Sequence, residues 1–338
     1  MMTKHTPEVN AARCMAMQPL AYSVIIEWEN VMLAESARAT EMLRRLSMQI
    51  DELMAKGIEG ETLLVRGEDN ESVASDLDRI LKLWFGASSS KSKVRVISVR
   101  AKKYYEKKNA GAAAAYGAIL VFLDSDVIPE DGWLNHLLFA FDQPGVEVVA
   151  GNTYIEPTTL YAKAFAAFWF FPPRSTEEGL VPTDVLFGNN IAFRRELFLA
   201  HPFPVVEQFR GQGGMLIRDL RERGAGIYLQ RSSRCSHPPP NGFVHFVRRA
   251  MCDGHDNVVI ALRSTGRSRL PWRHSYWSTR GFLTNSLRAI RERYHALGLT
   301  PFSAVVAILI AFGYVFCIGF GEILTRWNRT LVPRRFPI

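Results

Sequence analysis

The chain has 338 residues, 48% of them hydrophobic and 22% charged, which is room for one large α/β domain with an appendage and excludes wholesale disorder. The net charge of +8 sits at one end: from residue 261 onward arginines face only Glu292 and Glu322, roughly +10, which leaves about −2 for the remainder. A tail that is both Arg-rich and apolar points to anionic lipid head groups and, with no groove-reading motif beside it, away from nucleic acid.

Tyr22-Ser23-Val24-Ile25-Ile26-Glu27-Trp28 is short, β-branched and apolar at its centre, the pattern of a buried strand. Leu43, Leu46, Ile50 and Leu53 then recur at helical spacing, closed by Gly57. Thr62-Leu63-Leu64-Val65 predicts a second strand, and Leu77, Ile80, Leu81 and Trp84 a second helix. A Ser/Lys loop over 88–93 leads to a third strand, Val94–Val99. Asn109–Gly117 is alanine-rich and predicts a helix with Gly117 at its C-cap, running into Ile119-Leu120-Val121-Phe122-Leu123, the most apolar strand. Strand–helix alternation predicts a mostly parallel sheet flanked by helices, with ligands bound beyond the carboxyl ends of its strands.

The second half is less regular. Strands are expected at 146–151, 186–193 and 227–229, with an aromatic helix from Tyr161 to Phe171. Residues 268–295 interleave Arg with Trp272, Tyr276, Trp277 and Phe282, the pattern of an interfacial segment. Phe302–Leu324 is apolar apart from Glu322, long enough to cross a core of about 30 Å. Cys14, Cys235, Cys252 and Cys317 form no C-x-x-C pair, and the start of the chain lacks a signal peptide's apolar core. A reducing, cytosolic setting is the expectation.

Asp124-Ser125-Asp126 follows the most apolar strand at once. Two carboxylates one residue apart, where a strand breaks into a turn, offer oxygen ligands to Mg²⁺ or Mn²⁺. Such a cation neutralises the charge that develops on a departing diphosphate. On its own D-x-D is a common turn; its position after this strand is what gives it weight.

Several segments, in order, resemble the family 2 glycosyltransferases of GT-A fold: Val24-Ile25-Ile26 with Asn30, Lys108-Asn109-Ala110-Gly111 with Gly117, Phe122-Leu123-Asp124-Ser125-Asp126, and Gly188-Asn189-Asn190-Ile191-Ala192-Phe193-Arg194-Arg195. The resemblance spans roughly residues 20–260 and implies a GT-A domain over 21–260. Around it would lie an irregular or disordered stretch at 1–20, a basic amphipathic segment at 261–300, a transmembrane or membrane-embedded helix at 301–325 and a basic tail at 326–338. It implies that Asp124 contacts the nucleotide and joins Asp126 at the metal, with His237 a further ligand. His237 is equally readable as a loop histidine before Pro238-Pro239-Pro240. Glu27, Asn30, Glu68, Lys108 and Asn109 fall on the donor side. Lys108 would approach the pyrophosphate or lie on the surface, and Asn109 would do no more than cap a helix in the blander reading.

Two places depart from the family pattern. The Asp-rich turn after the second strand reads Arg66-Gly67-Glu68-Asp69-Asn70, so Glu68 or Asp69 would replace the base-reading acid. Where relatives carry an acidic pair that supplies the general base, this chain reads Arg210-Gly211-Gln212-Gly213-Gly214. Gln212 cannot take a proton, and Glu207 is the nearest carboxylate, with Asp219 in the helix that follows. The resemblance therefore implies an inverting transferase moving a sugar from a nucleotide-diphosphate donor to a sugar or lipid-linked acceptor at the cytoplasmic face of the cell membrane. The alternative is a nucleotide-sugar-binding protein that has lost its base. A nucleotidyltransferase would need a Gly-rich loop after the first strand, where Glu27-Trp28-Glu29-Asn30 stands.

Overall fold

The computed structural model describes residues 20–28, 36–68, 77, 81, 93–100 and 103–336. Asn30, Asp69 and most of the expected second helix lie outside those residues. β1 (Tyr22–Glu27), β2 (Gly60–Gly67), β3 (Lys93–Val99) and β4 (Ile119–Asp124) form the parallel half of one sheet, in the order β3-β2-β1-β4. β1 and β4 are apolar at their centres because both sheet faces are covered. Val24, Ile26, Val121 and Leu123 point into one core, and Ile25, Leu120 and Phe122 into the other.

The first core is closed by α1 (Ser36–Ala55), whose Met42, Leu43, Leu46, Ile50 and Leu53 form the expected stripe. The second is closed by α2 (Tyr104–Ala113). α2 starts five residues earlier than alanine content suggested and ends before Gly117, which has no left-handed φ. Gly117 is instead a point of close approach. A Cβ there would stand 2.2 Å from the backbone carbon of Tyr22, and its N–H donates to Ser23 Oγ at 2.7 Å. Ser23 in turn donates to the buried Glu61 carboxylate at 2.8 Å, which Arg95 and the Tyr116 N–H also reach at 2.9 and 2.6 Å. This network seats the loop that feeds β4.

The second half of the sheet is mixed. α3 (Trp133–Phe139) follows the short β5 (Ile128–Pro129), and β6 (Val148–Tyr154) precedes α4 (Leu160–Phe168) and β7 (Leu180–Pro182). β8 (Asn190–Arg194) runs antiparallel to both β4 and β6. After α5 (Arg195–Ala200) and α6 (Gln212–Glu222) comes β9 (Ile227–Ser236), far longer than its three most apolar residues suggested. β9 pairs parallel with β6 and antiparallel with β5 and β7. The parallel pattern expected from strand–helix alternation thus holds through β4, and β8 breaks it.

Three long helices complete the chain: α7 (Gly242–Thr265), α8 (Trp272–Arg293) and α9 (Pro301–Trp327), then the short α10 (Leu331–Arg335). α9 is long and apolar enough to cross a bilayer by length and composition. One of its faces packs with α4 and α8 around Phe165, Phe168, Ile290 and Tyr314.

Replacing Gly117 by Val should push β1 away from the loop and cost about 1–3 kcal/mol, read as a lower urea midpoint with unchanged secondary structure.

Candidate active site

β1 and β4 finish level, with Glu27 opposite Asp124 in register. Asp124 closes β4 and the chain turns at once, Val127 N–H reaching back to Asp124 O at 3.2 Å. β5 then pairs with the end of β9, Ile128 opposite Ser236. That pairing brings His237 round to the carboxylate turn, where its N–H bonds Tyr154 O at 2.8 Å. One guanidinium locks the two strand ends together: Arg38 of α1 donates to Asp126 O at 2.6 Å and to Ser236 O at 2.6 Å.

The two carboxylates are treated differently. Asp124 is buried and accepts from Lys108 Nζ at 2.7 Å and from Tyr104 OH at 2.6 Å. Burial and the nearby Asp124 carboxylate raise the Tyr104 pKa far above its usual value, so the phenol keeps its proton and donates. Lys108 is itself fully buried and also donates to Gly188 O at 2.6 Å. It is therefore an internal counter-ion and not a surface lysine. Asp126 is buried as well, yet its Oδ1 has no hydrogen-bond partner among the described residues. Burial first and Asp124 second push its carboxyl up to about 7, with Arg38 pulling the other way.

Both carboxylates line a cavity of about 500 Å³. Its lining also includes Trp169, Phe170, Phe171 and Phe187, and the polar Glu207, Arg210, Gln212, His245 and Arg249. His237 lines the same cavity, its ring 4.7 Å from Phe171 and its Nδ1 2.6 Å from Pro238 O. Nδ1–H donates there, which leaves Nε2 with its lone pair; burial and Arg249 hold the ring neutral by lowering its pKa well below the usual range.

No group of three or more His, Cys, Asp or Glu among the described residues converges as a self-sufficient metal site. Asp124, Asp126 and His237 line the same cavity without forming such a cluster. Asp126, with an unpartnered buried oxygen, fits a cation that takes its other ligands from diphosphate oxygens, the usual arrangement for Mg²⁺.

The remaining expected residues scatter. Glu27 is buried at the strand end and ion-paired with Lys107 at 3.5 Å. Glu68 is half exposed, 3.2 Å from Arg100. Asn109 lies inside α2, not at its cap, and its amide is bound on both sides to Phe203, donating to the carbonyl at 2.8 Å and accepting from the N–H at 3.1 Å. That side chain is structural. Gln212 opens α6, buried, with its amide donating to Gln208 O at 3.0 Å. Glu207 is exposed at the cavity rim.

The sequence reading missed Arg38, Tyr104, Arg210 and Arg249. Nothing local marks Arg38 or Tyr104. α7 did carry a signal, because His245, Arg249, Asp253 and Asp256 repeat at helical spacing. His245 and Arg249 line the cavity. Asp253 holds Arg210 at 2.5 Å, and Asp256 accepts the N–H groups of Phe209 and Arg210, both at 2.9 Å. Arg249 lies 5.2 Å over the Trp169 ring, and its Nε has no hydrogen-bond partner among the described residues.

Comparison with known proteins agrees with this architecture. The family profile described as glycosyl transferase family 2 matches residues 69–200. The mannosyltransferase PcManGT of Pyrobaculum calidifontis, solved in complex with GDP-Man and Mn²⁺, shares 15% identity and a TM-score of 0.54, over 91% of this chain and 88% of that one. TarS of S. aureus, solved with UDP, shares 14% identity over 91% and 92% of the two chains, with a TM-score of 0.47. No curated protein matches the chain in sequence. The fold is that of a GT-A glycosyltransferase. Within it, the stretch similar to glycosyl transferase family 2, residues 69–200, carries the Asp124–Asp126 turn.

Two outcomes test the charge balance. Lys108→Met leaves Asp124 buried without its cation and should lower unfolding free energy by about 3–5 kcal/mol, measured in urea. In chelator-treated protein the raised Asp126 pKa means the native state keeps a proton that the unfolded chain, near 3.8, has released. Its contribution to stability is therefore full below about pH 4, falls as pH rises toward 7 and is flat above. Asp126→Asn should lack that decline, which then appears as the difference between the parent and variant stability curves.

Proposed function

We propose that the protein transfers a sugar from a nucleotide-diphosphate donor to an acceptor hydroxyl with inversion, using a divalent cation bound at Asp126. The observation that carries this reading is the unpartnered, buried Asp126 oxygen beside a neutralised Asp124 at the mouth of a 500 Å³ cavity. Asp126 would hold Mg²⁺ or Mn²⁺ there, supplying positive charge to offset what develops on the departing diphosphate.

The chain's own residues supply the rest. Asp124, held by Lys108 and Tyr104, is fixed at the strand end where the nucleotide of a GT-A donor lies. Arg210 and Arg249 make the rim electropositive, which favours a dianionic leaving group. The aromatic wall of Trp169, Phe170 and Phe171 suits the apolar face of a sugar ring. Glu207 is the general base: it is the exposed carboxylate at the rim, free to meet an incoming hydroxyl, whereas Gln212 has no basic lone pair at neutral pH. An acceptor belonging to a surface polysaccharide or glycolipid, met at the cytoplasmic face of the membrane, accords with the arginine-rich tail.

One observation favours a second reading, a nucleotide-sugar-binding protein without turnover: Gln212 stands where the base is expected and its amide is engaged in holding the Gln208 carbonyl.

A panel of nucleotide sugars in a thermal-shift assay, with and without Mn²⁺, separates the two. The transferase reading expects one donor to raise the transition temperature only with metal, slow donor hydrolysis in its presence, and loss of both in Asp126→Asn. Glu207→Gln should keep the thermal shift and lower transfer about 10²–10⁴-fold. A metal-dependent shift with no hydrolysis and no transfer to any acceptor would establish the binding protein.

A further inference from the structure

α9 distributes its side chains the wrong way round for a helix that only serves a core. The face turned to the protein is largely small or polar: Ser303, Ala307, Ala311, Gly321 and Thr325, with Tyr314 and Ile318 between them. The face turned outward carries the bulk, with Phe302, Leu309, Phe312, Phe316, Phe320 and Trp327 recurring at three-, four- and seven-residue intervals. Phe316 is 76% exposed and Trp327 84%. An unbroken apolar stripe along 27 residues, about 40 Å, exceeds what a water-facing surface carries without a partner.

The inner face shows why this helix does not leave the domain to cross a bilayer. α7 and α9 touch backbone to backbone: a Cβ on Gly254 would stand 2.1 Å from Ile318 O, and one on Gly321 2.4 Å from Met251 O. Around that contact Asn257 donates to the buried Glu322 at 3.0 Å, His255 meets Thr325 at 3.2 Å and Tyr314 donates to Asp253 at 2.5 Å. Asp253 is the residue that holds Arg210 at the cavity rim. A spanning α9 would abandon these bonds and bury their partners unpaired.

The neighbouring helix supplies the charge. α8 exposes Trp272, Tyr276 and Trp277 beside Arg273 and Arg280, with Arg280 5.1 Å over the Trp277 ring. The acids of this region are only Glu292 and the buried Glu322. Bulky apolar side chains, interfacial aromatics and unopposed arginines together match a bilayer whose head groups are anionic. We propose that α8 and α9 form an in-plane membrane anchor, with the outer stripe of α9 sunk among the acyl chains of an anionic lipid surface and both ends of the helix on the same side. The cavity, whose lining reaches Pro333 just beyond α9, then opens close to that surface.

The test uses the full chain and needs no turnover, so it stands apart from the transferase reading. Flotation with vesicles of phosphatidylcholine alone and vesicles enriched in phosphatidylserine should show binding about tenfold or more stronger on the anionic ones. Phe316→Ser/Phe320→Ser should lose binding to both while keeping its thermal transition and its mass in solution. Arg273→Glu/Arg280→Glu should lose only the preference for anionic lipid. Should the double Ser variant fold poorly, Leu309→Asn reads the same face. Cysteines placed at His295 and Arg335, beyond the two ends of α9, should both react with a membrane-impermeant maleimide added outside the vesicles. The proposal is overturned if the stripe variants float like the parent, if one end of α9 is protected as in a span, or if the Ser variant turns a dimer into a monomer, which would make the stripe a contact between copies.

Discussion

The site is organised around the cost of keeping two carboxylates together out of water. Asp124 and Asp126 stand one residue apart at the end of a buried strand, where like charges raise each other's energy and low polarity raises it further. The fold answers asymmetrically. Asp124 receives a buried ammonium and a phenol, while Arg38 reaches Asp126 at its main-chain carbonyl and the Asp126 Oδ1 has no hydrogen-bond partner among the described residues. Asp126 is thereby left as the point of unmet negative charge.

The geometry that makes this possible is assembled from distant segments. Arg38 comes from the first helix, Lys108 and Tyr104 from the second, and Ser236 from the last strand. α7 plays a comparable part along the cavity. Its polar stripe lines the cavity at His245 and Arg249, then anchors the 207–211 segment through Asp253 and Asp256. The helix is a spine between the chemistry and the C-terminal helices.

Legibility in the sequence followed local physics. β1 and β4 could be read because burial on both faces demands unbroken apolar runs, and α1 because one covered face demands a stripe. The carboxylate turn could be read from its place after β4. Gly117 was misread because sequence does not separate a glycine needed for left-handed backbone from one needed for contact with another strand. Lys108 is not a surface lysine and Asn109 does not cap its helix, and neither was legible for a related reason: their partners, Asp124 and Phe203, are brought to them by the tertiary fold. The full extent of β9 was hidden because its outer half, Gln230–Ser236, is polar and pairs at a sheet edge. The second half of the sheet was the least legible, since antiparallel β8 enters between β4 and β6 with no periodicity that announces it.

The bond from Tyr314 to Asp253 sets a limit on where this protein can be divided. Aromatic residues of α4, Phe165 and Phe168, lean on Tyr314 with ring centres 5.9 Å away in each case, and Arg293 of α8 caps the carbonyls of Ala166, Trp169 and Phe171. A chain cut before Pro301 would strip the cover from that aromatic cluster and release the carboxylate that steadies Arg210. The segment beyond Pro301 thus steadies the cavity, which Pro333 helps to line, and a shortened version would arrive with Arg210 and the aromatic cluster unsupported.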